Sequence, residues 1–124
     1  LARLAVAAAL SILLTGFAGA EEPMPAAPAV DEEKEVDEGL QRFGYLAGLA
    51  RGCVTEDQRS KLEREVLDMH AGIARLMGTD RAFLFASAYG YSTNIQIDVK
   101  ECAEVLTNYD ARVAKHRANQ GSTK

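Results

Sequence analysis

The chain has 124 residues, enough for one modest core, and carries two cysteines, two histidines and no tryptophan. Eighteen acidic against fourteen basic side chains give a net charge of −4. That balance argues against nucleic acid as the main partner, because phosphate binding needs a basic face.

The chain opens LARLAVAAALSILLTGFAGA. Arg3 forms a positive n-region, Leu4 to Thr15 an apolar h-region, and Ala18-Gly19-Ala20 a small-x-small cleavage site. Residues 1–20 therefore read as a signal peptide cut after Ala20, which predicts a periplasmic or secreted protein. No cysteine follows the site to carry a lipid, and no membrane association is expected after cleavage. Residues 21–35, EEPMPAAPAVDEEKE, hold all three prolines and many acids, and predict a disordered linker. The acidic run Asp31 to Glu38 lacks the spacing and glycine of a calcium loop, so no metal is expected there.

The helical domain is expected over residues 36–118. A first helix is predicted from about Glu33 to Gly52, with Val36, Leu40, Phe43, Ala47 and Ala50 at helical steps. Gly44, Gly48 and Gly52 recur every fourth residue. Each weakens the helix by roughly 1 kcal/mol relative to alanine, which suggests a close-packing face, within the chain or in a homodimer. Thr55 with Gln58 resembles a capping box opening a second helix. Its apolar stripe is Leu62, Val66, Met69, Ile73 and Leu76, joined by Met77. Arg59/Glu63, Lys61/Glu65 and Arg64/Asp68 are expected i,i+4 pairs, and Gly78 is the expected stop.

The stretch Gly78 to Ser92, GTDRAFLFASAYGYS, is the densest apolar run after the leader. It predicts a central core helix, capped by Thr79 or Asp80 and ending near Gly90. Ala82, Ala86 and Gly90 form a small-residue stripe. The alternative to a core is a binding groove lined by Phe83, Phe85, Tyr89 and Tyr91. After a short connection, Ile95, Val99, Cys102, Leu106, Tyr109 and Val113 form a heptad-like seam for a last helix, with Asp98 and Glu101 as its start signal. Residues 119–124 are expected to fray.

Cys53 ends the first helix and Cys102 begins the last. In an exported chain two cysteines pair, and an up-down-up-down order brings both to one end. The predicted fold is thus all-α: a small four-helix up-down-up-down bundle with one Cys53–Cys102 disulfide.

No chemistry of catalysis stands out. GxSxG, HExxH, CxxCH, a glycine-rich phosphate loop and the Glu-x-x-His pairs of di-iron bundles are all missing. His70 lies near Glu63, Glu65 and Asp68, but reads as a surface histidine. No cofactor is expected, nor an enzyme. The layout of a small exported helical domain, one disulfide and a cysteine opening the last helix resembles the HdeA-type periplasmic acid chaperones, with Val99 to Cys102 (VKEC) and the helix after it as the local likeness. That resemblance implies opening at low pH to expose Phe83 and Phe85. The leading expectation is a non-enzymatic protein that binds another protein, using Gly44, Gly48, Phe83, Phe85, Tyr89 and Tyr91 as its face. The alternatives are an apolar-ligand carrier, with a pocket between the central and last helices, and an HdeA-like acid-stress chaperone.

Overall fold

A computed structural model describes residues 27–121; the predicted leader, the start of the linker and residues 122–124 lie outside them. Four helices follow one another: α1 (Ala27–Cys53), α2 (Glu56–Met77), α3 (Thr79–Ser92) and α4 (Cys102–Gly121), with a 3₁₀ turn at Val99–Glu101 leading into α4. No strand occurs among the described residues.

Helix α1 begins earlier than the composition suggested. The linker expected over 21–35 is helical from Ala27 onward. Proline in a first turn removes no intrahelical hydrogen bond, and Glu and Lys are good helix formers. The ion pairs Lys34–Glu38 and Arg42–Glu38 support this segment along one face. Residues 31–36 are all exposed, so these turns are held by local interactions and not by a core. At the other end, α4 runs through Gly121, past the fraying expected from residue 119.

The hub is α1, not α3. It packs on each of the other three helices, and its interface with α3 is the most extensive in the molecule. The reason lies in Gly44 and Gly48. A Cβ at Gly44 would overlap the Phe85 carbonyl, and one at Gly48 would meet the Ser92 hydroxyl and the Tyr89 carbonyl oxygen, the latter at 2.6 Å. The two backbones therefore approach as only glycine allows. Gly44 faces Phe85 while Gly48 faces Ser92, and Arg81 of α3 reaches Asp37 at 3.0 Å, so α1 and α3 run parallel. Of the small-residue stripe Ala82, Ala86 and Gly90, Ala82 is buried and Ala86 half-buried. Gly90 has open space around it.

Directions alternate as expected. Gly78 alone joins α2 to α3, at φ +96°, which only glycine adopts without strain. Its N–H closes α2 on the Ala74 carbonyl at 3.1 Å, and its carbonyl accepts from Ala82 N–H at 3.2 Å to start α3. Thr79 and Asp80 thus lie inside the helix rather than capping it. Thr55 occupies the N-cap of α2, but its side chain makes no capping bond. Its carbonyl instead accepts from Gln58 and Arg59, both at 3.0 Å. Past Gly90, α3 continues to Ser92, and the Thr93 hydroxyl and Asn94 amide both close onto the Gly90 carbonyl.

The Cys53–Cys102 disulfide forms, with Cα atoms 5.3 Å apart, and sets the end of α1 against the start of α4. Asp98 caps the turn before α4 by accepting from Lys100 N–H at 3.1 Å. Farther along, Arg112 lies over the Phe43 ring at 5.0 Å, which confirms that α1 and α4 are antiparallel.

The core comprises Ala47, Ala50, Leu62, Val66, Met69, Phe85, Tyr109 and Val113. Four residues assigned to apolar stripes are exposed: Val36 in α1, Leu76 and Met77 at the end of α2, and Val99 in the 3₁₀ turn. Leu76, Met77 and Val99 sit at element ends, and Val36 belongs to the exposed outer turns of α1.

Gly48→Ala should lower stability by about 1–3 kcal/mol through overpacking. Gly52→Ala should be neutral or stabilising by up to about 1 kcal/mol, since the nearest atom to its added Cβ is an Ile97 methyl at 3.6 Å. Urea denaturation of both variants tests this; equal losses would refute the close-approach account. Reduction of the disulfide, whose cysteines lie 49 residues apart, should remove about 4 kcal/mol on the chain-entropy model. Melting with and without reductant measures it.

Candidate functional site

The six residues expected to share one face are divided by the fold. Gly44, Gly48 and Phe85 are buried, Tyr89 is half-buried, and Phe83 and Tyr91 are each 69% exposed. Helical geometry makes the split: Phe85 and Tyr89 point across α3 toward the core, whereas Phe83, Leu84, Ser87 and Tyr91 fall on the outer side. Gly44 and Gly48 of the glycine stripe are covered by α3 inside the chain, whereas Gly52 is exposed. Phe83 needs no opening of the fold to be presented; only Phe85 is hidden.

The outer side of α3 meets a residue that the sequence did not single out. Tyr45 of α1 is 40% exposed and its ring lies near-parallel to Tyr91, 6.4 Å between centroids and 30° between planes. Gln41 and Arg42 of α1, with Leu84, Ser87 and Ala88 of α3, complete a shallow groove around the two tyrosines. The close glycine contact beneath sets this pair, because it brings the α1 and α3 surfaces into register. Tyr45 lies one residue past Gly44 in the sequence, but nothing there marks it as exposed beside Tyr91.

A second feature joins helices whose backbones barely meet. Glu65 of α2 accepts from the Tyr109 hydroxyl at 2.8 Å and from Arg117 Nε and a terminal nitrogen at 2.8 and 2.9 Å. Arg117 also donates to Asp110 at 3.0 Å. The Glu65 side chain is only 14% exposed. Burial pushes its carboxyl up, but the hydrogen bonds from Arg117 and Tyr109 and the Arg117 charge outweigh burial and hold it below the usual carboxylate range. Burial, then the bond to Glu65, pushes the Tyr109 phenol well above its usual value. Bonding to Glu65 raises the Arg117 guanidinium despite burial. The expected ladder of pairs along α2 is thus displaced: Glu65 turns to α4, and Glu63 pairs with Arg51 of α1 at 2.7 Å. This cluster is a strap between helices, and each charge in it has a structural partner.

A cleft expected between the central and last helices is found elsewhere. Helix α1 stands between α3 and α4; clefts lie instead between α2 and α3, with a volume of about 630 Å³, and between α2 and α4, with a volume of about 480 Å³. Among the described residues, no group of three or more His, Cys, Asp or Glu side chains stands close enough to hold a metal ion. No described helix is long and apolar enough to cross a membrane.

Comparison with protein-family models, with curated proteins and with solved structures finds no match to this chain.

The lowered Glu65 pKa fixes the sign of a pH dependence. Its contribution to stability is complete above the unfolded-state pKa and is lost as pH falls through the lower folded value. Glu65→Gln should therefore lower stability at neutral pH by about 2 kcal/mol, discounted for the half-exposed Arg117. It should also flatten the loss of stability on acidification. Denaturation series from neutral to acidic pH on both proteins check this; parallel curves would contradict the strap.

Proposed function

We propose that this is an exported, non-enzymatic protein that works by binding another protein, as an accessory or assembly factor, through the outer side of α1 and α3. The observation that carries the reading is the exposed aromatic pair Tyr45 and Tyr91, with Phe83 exposed on the same helix as Tyr91. Aromatic side chains expose much apolar area at small entropy cost when buried by a partner, and they are enriched where partners dock. Leu84 and Ala88 supply an apolar floor between the tyrosines, and Gln41, Arg42 and Ser87 a polar rim. That is the arrangement of a small interface: apolar centre, hydrogen-bonding edge.

The disulfide and the predicted leader support an oxidising compartment. The ionisable groups with shifted pKa at the Glu65 strap are tied into tertiary contacts, which supports a binding role over acid–base chemistry.

A photo-crosslinking side chain placed at Tyr45 in the exported protein should trap one defined protein, and the same label at Lys61 on α2 should not. Phe83→Ser with Tyr91→Ser should abolish the adduct while leaving stability within about 0.5 kcal/mol per substitution. By contrast Phe85→Ala should cost about 3–5 kcal/mol. Adducts at Tyr45 that survive the double substitution, or no adduct at all, would overturn the reading.

A further inference from the structure

The cleft between α2 and α3 is polarised along its length. Because the two helices are antiparallel, Glu63 of α2 lies level with Tyr89 and Thr93 of α3, and His70 lies level with Phe85 and Ala86. The first end is polar: Arg51 reaches in from α1 beside Glu63, Tyr89, Thr93 and Asn94. The middle is apolar, formed by Val66, Leu67, Phe85 and Ala86. From Glu63 to His70 the cleft runs about two helical turns, roughly 11 Å. Its volume of about 630 Å³ falls within the roughly 300–1,000 Å³ of small-molecule sites.

The polar end holds donors that the fold does not use. Arg51 gives only its Nε–H to Glu63, at 2.7 Å, and its terminal nitrogens make no hydrogen bond to another described residue. A guanidinium has five N–H groups, so a fork suited to a carboxylate remains. The Tyr89 hydroxyl also makes no hydrogen bond among the described residues, and burial raises its pKa, so it stays a neutral donor. Thr93 and Asn94 differ, since both already donate to the Gly90 carbonyl.

We infer that this cleft binds a small amphipathic carboxylic acid, with its carboxylate on the free side of Arg51 and the Tyr89 hydroxyl and its alkyl chain along Leu67 and Ala86 toward His70. Charge decides the polarity: the free guanidinium nitrogens and the phenol are donors, and an acid presents only acceptors to them. Glu63 works against the ligand, because its carboxylate shares Arg51 and repels a second anion. The geometry thus predicts opposite effects for the two members of one ion pair. This site is separate from the Tyr45–Tyr91 face, so either assignment can stand without the other.

The probe is octanoate, titrated into the full chain and followed by amide NMR, with octanol as the uncharged control. Octanoate should shift the signals of Leu67, Ala86 and Thr93 and bind at least tenfold more tightly than octanol. Arg51→Gln should weaken octanoate tenfold or more, and Glu63→Gln should tighten it several-fold. Leu67→Glu, at a side chain 65% exposed and tolerant of change, should abolish binding with an unchanged fold. The inference is overturned if octanoate shifts none of these signals. It is equally overturned if octanoate and octanol bind alike, if Glu63→Gln weakens binding, or if Leu67→Glu binds as well as the parent chain.

Discussion

The backbone contact of α1 with α3 at Gly44 and Gly48 is the constraint on which the rest of the molecule depends. It places two parallel helices closer than side chains would allow. Every other feature is arranged around that pair. Phe85 is buried because the contact turns it inward, against Phe43 at 5.4 Å between ring centroids. Phe83 and Tyr91 are exposed because they lie on the opposite side of the same short helix. Ser92 is buried as a direct result, and its hydroxyl satisfies itself on the Tyr89 carbonyl at 3.1 Å.

The two remaining helices are held differently. Helix α2 is tied to α3 by a single residue, and α4 is tied to α1 by a disulfide. Between α2 and α4 the main polar link is one carboxylate with its three donors. The molecule therefore has one tight seam, made by backbones, and one loose seam, made by long side chains. Backbone contacts are independent of pH, whereas the loose seam rests on a group that titrates.

Much of the fold was legible from residue spacing, but little of the surface chemistry. Leu62, Val66 and Met69 on α2, and Tyr109 and Val113 on α4, sit in the core as their periodicity predicted. The cysteine pair and the stop at Gly78 were also readable, since each has a specific local cause. Periodicity failed at element ends, as with Leu76, Met77 and Val99, because it records which face is apolar and not whether a neighbour reaches it. It likewise could not separate Phe83 from Phe85 in a run that is apolar almost all round. Glu65 was assigned to a partner four residues away, yet its partners lie 44 and 52 residues along the chain. Local pairing rules have no access to such contacts. Tyr45 went unnoticed for the same reason: its significance comes from Tyr91, and only the fold brings the two rings together.

The disulfide has a mechanical consequence. Helices α1 and α4 are antiparallel and joined where α1 ends and α4 begins, so Ala27 and Gly121 lie toward the same end of the bundle. Tension applied between those two points would peel the arms apart from their open ends, as in unzipping, and would halt at the covalent crosslink. The 49-residue loop beyond it, which contains all of α2 and α3, would carry none of that load. A pull on the chain could strip α1 from α3 and so dismantle the glycine contact, but the α2–α3 hairpin would remain slack inside its closed ring.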